Sequence, residues 1–161
     1  MMSNFNHFLE KFPPVKLPIT LSEEDAHVYS TENEPIPHKL IEEFIVPFET
    51  DHDEFTEYVP CFRIEGLKNF DAIVYWKAGL LNYQYIMMTF EKGGKTIDRK
   101  AVAGTYSDGQ SMVRSVAQIE EDMSIIIMSG FSTDEDGIYD ASLSTTKEIE
   151  LLPDGKLVEL D

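Results

Sequence analysis

The chain of 161 residues has the length of one domain, and 42% of these residues are hydrophobic, so it can bury a sizeable core. Thirteen basic and thirty acidic side chains give a formal net charge of −17 at pH 7. A balance this acidic excludes the positive surface that nucleic-acid binders need, and it argues equally against an anionic membrane as the partner.

The N-terminal part of the chain, residues 1–57, is predicted to form a cap with two short helices. The first follows Ser3, a suitable N-cap, because four apolar side chains recur there at the spacing of one helical stripe: Phe5, Phe8, Leu9 and Phe12. The proline pair at 13–14 ends this helix. A second helix is predicted over residues 37–46, with a buried face of Leu40, Ile41, Phe44 and Ile45. Between them, residues 15–21 alternate apolar and polar side chains and predict one short edge strand.

From residue 58 the apolar period changes to two, which predicts a β body over residues 58–161. The strand candidates are residues 59–65, 70–77, 83–91, 96–103, 112–119, 123–129, 138–152 and 157–160. The connections between them are short and contain turn residues such as Gly93-Gly94 and Asp154-Gly155, and such connections join antiparallel neighbours. The sequence therefore predicts a single domain of the mainly β (α+β) class. We expect an antiparallel meander sheet or open barrel of about eight strands, with the two helices packed on it.

No residue pattern indicates catalysis or a bound metal. The run at 49–54 mixes glutamate, aspartate and histidine, but it lacks spaced ligands and is predicted to be a solvated acidic loop. A second acidic run, at 134–140, departs from the calcium-loop pattern and is predicted to be a charged turn. Cys61, the single cysteine, lies in a strand pattern and is predicted to be a small buried side chain. We therefore expect no enzymatic activity, no metal and no cofactor.

Cysteine usage and apolar run length also bear on the compartment. A single cysteine cannot form an intrachain disulfide, and residues 1–16 lack a basic stretch followed by an apolar segment. No apolar run approaches the ~20 residues of a spanning helix. These features predict a cytoplasmic protein with no membrane partner.

Acidic and aromatic residues concentrate near residue 50 and predict a partner-binding site. Its acidic members are Asp51, Asp53, Glu54 and Glu57, and the aromatic anchors beside them are Phe48 and Phe55. A negative field raises the association rate of a cationic protein, whereas apolar anchors supply affinity. The first predicted function is therefore a non-enzymatic acidic interaction protein that binds a basic protein partner. Small acidic inhibitors and immunity proteins share this general composition.

The alternative function is a β-barrel-like carrier of a small apolar ligand. Residues 70–76 are apolar in both phases of the strand, which predicts that this strand is buried on both faces. Trp76 alternates in phase with three apolar residues and is therefore predicted to be buried. A ligand cavity would be lined by Trp76, Tyr83 and Tyr85.

Overall fold

The computed structural model describes residues 3–50, 52–80, 82–107, 112–132 and 140–160. Its helical segments are α1 (Asn4–Glu10), α2 (Glu23–Glu32), α3 (His38–Phe44) and a 3-10 turn, Val46–Phe48. Its strands are β1 (Pro14–Val15), β2 (Ile19–Leu21), β3 (Glu57–Ile64), β4 (Phe70–Ala78), β5 (Tyr83–Glu91), β6 (Thr96–Ser107), β7 (Met112–Ile119), β8 (Ser124–Ser132), β9 (Asp140–Leu151) and β10 (Leu157–Leu160).

The described strands form one mostly antiparallel sheet. From β3 to β10 every strand pairs with the next strand along the chain, and every one of these pairings is antiparallel. β1 adds a short parallel edge to β3, and β2 pairs with β7 away from this path. The predicted mainly β meander with helices packed on it is therefore confirmed.

The sheet curls because β6 changes partners along its length. β6 pairs with β5 through residues 96–105 but with β7 only through residues 104–107. Gly104 lies where the partners change, with a φ of +145°, and a Cβ atom there would lie 2.1 Å from the carbonyl oxygen of Tyr83. Only glycine fits this close approach of two backbones. The far half of β7 pairs with β2 instead of β6.

The turn before β10 fills part of the gap that β7 leaves beside β6. The backbone N–H of Leu157 donates to Oδ2 of Asp98 over 2.9 Å, and the hydroxyl of Thr89 donates to the carbonyl oxygen of Gly155 over 2.6 Å. Within the part of the chain that the structure describes, β6 and β10 share no strand ladder, so the curled sheet is not closed.

Two apolar clusters cover opposite faces of β3, β4 and β5. The inner cluster fills the curl of the sheet and includes Ala26 and Tyr29 of α2. The outer cluster lies under α1 and α3, where Phe5, Phe8 and Phe44 pack their rings against Phe90. Successive residues of β4 enter different clusters, because side chains alternate across a strand. The predicted burial of this strand on both faces is confirmed, and Trp76, which is 7% exposed, is buried as predicted.

The structure corrects the cap in two places. The strand predicted over residues 15–21 is two strands, β1 and β2, because the chain leaves β3 after Val15 and joins β7 at Ile19. In addition, α2 was not predicted from the sequence. Its one buried residue is Ala26, so it presents no apolar stripe. The second acidic run, residues 134–140, lies outside the described residues except for the backbone of Asp140.

Candidate partner-binding surface

The predicted partner-binding residues lie at one end of the sheet. Glu57 at the start of β3 pairs with Ala78 at the end of β4, and Ala78 pairs with Tyr83 at the start of β5. We call this region, residues 49–57 and 78–83, the β3–β4 end. Asp51, one of the predicted acidic members, lies outside the described residues, as does position 81.

A local hydrogen-bonded turn shapes the acidic loop. Oδ1 of Asp53 accepts hydrogen bonds from the backbone N–H of Phe55 over 2.8 Å and from the hydroxyl of Thr56 over 3.0 Å. This is the side-chain-to-backbone turn that aspartate favours. The carboxylates of Glu54 and Glu57 stay exposed on either side of it, and the ring of Phe55 is 60% exposed between them. The loop thus presents an aromatic ring flanked by negative charge.

The ring of His52 attaches the start of this loop to β3. His52 and Tyr58 stack with their ring centroids 5.6 Å apart, and Nδ1 of His52 lies 2.9 Å from the hydroxyl of Tyr58. Together with the turn at Asp53, this contact fixes both ends of residues 52–58.

A buried ionic cluster holds the segment that precedes the loop. The side chain of Glu49 is fully buried, and its Oε2 accepts a hydrogen bond from Nζ of Lys77 over 2.6 Å. Its Oε1 accepts hydrogen bonds from the hydroxyl of Tyr75 over 2.6 Å and from Nη2 of Arg99 over 2.5 Å. Burial, together with the adjacent negative charge of Glu49, raises the pKa of Tyr75 well above its usual range. The phenol therefore stays protonated and donates to the carboxylate.

This buried cluster fixes the position of the chain just before the acidic loop. Lys77 pairs with Tyr58 across β3 and β4, so Glu49 is fixed beside the same corner to which His52 attaches. Phe48, which immediately precedes Glu49 and is 42% exposed, is held there as well. Leu80, in the turn after β4, is 68% exposed. The β3–β4 end therefore combines exposed apolar side chains with exposed carboxylates on a segment of chain that these contacts hold in place.

The sequence analysis missed Glu49 as a structural residue because it begins an acidic run that looks solvated. One signal was present in the sequence. Lys77 follows Ile73 and Tyr75 in the same phase, directly after the apolar run at residues 72–76, and a charge in that position needs a buried partner.

The three aromatic residues of the carrier hypothesis pack together. The rings of Trp76 and Tyr83 stack with centroids 6.1 Å apart, and Trp76 meets Tyr85 edge-on at 4.7 Å. The hydroxyl of Tyr85 donates to the carbonyl oxygen of Ser22 over 2.6 Å, and α2 contributes Tyr29 to the same neighbourhood. A cleft of about 330 Å³ opens next to them. Its described lining includes Gln84 and Ala103, the strand partner of Tyr85, but none of these three aromatic residues.

No group of three or more histidine, cysteine, aspartate or glutamate side chains in the described ranges is arranged to hold a metal ion. None of the described helices combines the length and apolar character needed to cross a membrane. In comparisons with known proteins, no protein family, curated protein or solved structure is significantly similar to this chain.

Proposed function

We propose that this protein is a non-enzymatic interaction protein that binds a basic protein partner through its β3–β4 end, as small acidic inhibitors and immunity proteins do. The observation that supports this proposal most directly is Phe55. Its ring is 60% exposed, it lies between exposed carboxylates, and the turn at Asp53 holds its backbone. A large apolar ring kept in water on a fixed turn is the usual form of a binding anchor.

The two kinds of side chain have different roles in the proposed complex. The carboxylates of Glu54 and Glu57 attract a cationic surface and raise the association rate. Phe55, Phe48 and Leu80 supply the apolar area that slows dissociation once they are covered. The partner therefore needs an apolar depression with lysine or arginine at its rim.

A matched pair of triple variants tests this proposal. The loop variant is Glu54→Gln, Phe55→Ala and Glu57→Gln, which keeps Asp53 because its carboxylate forms the turn. The control is Glu24→Gln, Val28→Ala and Glu32→Gln on α2, where an exposed valine also stands between exposed glutamates. Both variants remove two negative charges and truncate one exposed apolar side chain, so the net charge changes equally.

The measurement has two stages. Immobilised wild-type protein is used to capture partners from native extract, and a captured basic protein is then purified for association kinetics. We expect the loop variant to bind it at least about tenfold more weakly, and to associate more slowly at low salt, whereas the control binds as the wild type does. The rate difference should shrink near 1 M salt, where the Debye length is about 3 Å. Equal binding by the loop variant and the wild type would exclude the β3–β4 end as the binding site for the partner.

A further inference from the structure

A cleft on the concave side of the sheet shares none of its described lining residues with the β3–β4 end and is lined by two lysines. It measures about 330 Å³, at the lower end of the ~300–1,000 Å³ typical of small-molecule sites. It opens where β7 leaves β6, so its walls come from β6 on one side and from β7, β8, β9 and β10 on the other. The partner change at Gly104 is therefore what creates the space.

The lining of the cleft changes from apolar to polar along the strands. Its floor contains the buried side chains of Val102, Ile127 and Ile149. Further along the same strands, Ser115 pairs with Ser129 and Ser129 pairs with Thr145, which sets three hydroxyl-bearing residues side by side on neighbouring strands. The hydroxyls of Ser115 and Ser129 lie 2.7 Å apart. A ligand with one apolar part and one polar part matches this gradient.

Charged side chains level with the apolar floor set the sign of the ligand, since Lys147 pairs with Ile127 and Glu159 pairs with Ile149. Lys100 and Lys147 both line the cleft, with Glu159 as the carboxylate beside them. Nζ of Lys147 lies 2.9 Å from Oε1 of Glu159, and the charge of Lys100 also reaches that carboxylate. Among the described lining residues, two ammonium groups therefore accompany one carboxylate, an excess of one positive charge in a chain whose net charge is −17.

We propose that this cleft binds a small organic acid that carries a single carboxylate on an apolar body. The carboxylate binds between Lys100 and Lys147, and the apolar body lies on Val102, Ile127 and Ile149. One negative charge balances the single excess positive charge. A phosphate dianion would leave a negative charge uncompensated beside Glu159, and a neutral ligand would leave the ammonium pair unused. The proposal does not depend on the partner surface.

Three probes with the same aromatic body and different heads test the ligand class by titration against the isotope-labelled protein. They are naphthoate, naphthalene methanol and naphthyl phosphate. We expect saturable binding of naphthoate that shifts the backbone amide signals of Val102, Ile127 and Ile149, with an affinity at least about tenfold above that of the neutral alcohol. Naphthyl phosphate should bind more weakly than naphthoate. Tighter binding of the phosphate, equal binding of the alcohol, shifts outside the cleft or no saturation at millimolar concentration would each overturn the assignment.

Variants that remove either a positive or a negative charge from the cleft lining test the role of these residues in binding the carboxylate. Lys100→Met keeps the apolar stem and removes the ammonium, and it should weaken naphthoate binding about tenfold. Glu159→Gln removes the competing carboxylate and should strengthen it. Lys68→Met, an exposed lysine outside the cleft lining, should leave it unchanged. Glu159 is itself exposed, so this variant decides the matter even if Lys100→Met is poorly folded. Unchanged or weaker binding by Glu159→Gln would contradict the proposed charge balance.

Discussion

At the scale of single residues, the fold depends on Glu49 more than its place in an acidic run suggests. Its carboxylate receives hydrogen bonds from Tyr75, Lys77 and Arg99, and its side chain is fully buried. Burying a charge is costly unless it is paired and hydrogen-bonded, and here both oxygens have partners. The segment with Phe48 and the start of the acidic loop stay on the sheet through this cluster.

Replacing Glu49 with glutamine should therefore destabilise the protein strongly. The amide cannot balance Lys77 and Arg99, and removing one partner of a buried ion pair costs about 3–5 kcal/mol. We expect a loss near the lower limit, about 3 kcal/mol, because the side chain of Arg99 is 27% exposed and keeps contact with water. Urea unfolding measures the change. Glu42→Gln, an exposed carboxylate on α3, is the control and should change stability by less than about 0.5 kcal/mol. A loss below about 1 kcal/mol for Glu49→Gln would show that the cluster does not act as a buried pair.

At the scale of elements, the sequence predicted those whose side chains repeat with a clear period. The stripe of α1 packs under Phe90 as its spacing indicates, and the strands from β3 to β10 follow the period-two segments. What the sequence could not show is structure specified by contacts distant along the chain. α2 has no apolar stripe, and the pairing of β2 with β7 joins residues that are about one hundred positions apart. Phe48, Phe55 and Glu57 could be identified from the sequence as surface candidates. The buried ionic cluster around Glu49 could not, because its partners are distant along the chain.

The helix α2 depends on attachments at its two ends. At its start the carbonyl oxygen of Ser22 accepts from the hydroxyl of Tyr85, and at its end Nδ2 of Asn33 donates to the carbonyl oxygens of Pro60 and Cys61 over 2.7 and 3.0 Å. Between them only Ala26 is fully buried. Stability of α2 therefore comes from the hydrogen bonds that join its end residues to the sheet and from its other contacts with the sheet, and much less from an apolar stripe.

Asn33→Ala should release the end of α2 from β3. Two part-buried carbonyl groups lose their donor, and we expect a cost of about 1–3 kcal/mol. Hydrogen exchange should show faster exchange of the α2 amides with unchanged protection in α1. The control is Thr31→Ala, on the same helix, because its exposed hydroxyl bonds only to the carbonyl oxygen of His27. Uniform loss of protection in α1 and α2 would mean that α2 has no separate attachment.

At the scale of the whole molecule, burial in the two apolar clusters keeps several titratable groups neutral. Burial is the main cause in every case. It raises the pKa of Tyr29 to about 12, and it raises the pKa values of Tyr85, Tyr75 and Cys61 further above their ordinary ranges. Three of the four groups line the region where α2 meets β3, β4 and β5, and Tyr75 lies on the opposite face with Glu49. Ionisation of these groups at alkaline pH therefore destabilises the fold, and such groups lie on both faces of the sheet.

The direction of this effect follows from the pKa shifts. A group whose pKa is higher in the folded state contributes its full stability below its unfolded pKa, and that contribution is lost as the pH rises through the folded pKa. The unfolded values are 9.0 for Cys61 and 10.0 for the tyrosines, so we expect these contributions to be constant up to about pH 9.

Above pH 10 the free energy of unfolding should fall by up to about 5 kcal/mol per pH unit, since each proton retained only by the folded state adds ~1.4 kcal/mol per unit. Denaturant unfolding at a series of pH values measures this slope, and tyrosinate absorbance should rise together with the loss of fold. Tyr29→Phe is the matched variant: between pH 10 and about 12 its slope should be smaller by one proton. If all seven tyrosines ionised near pH 10 while the protein stayed folded, burial would not be protecting the phenols.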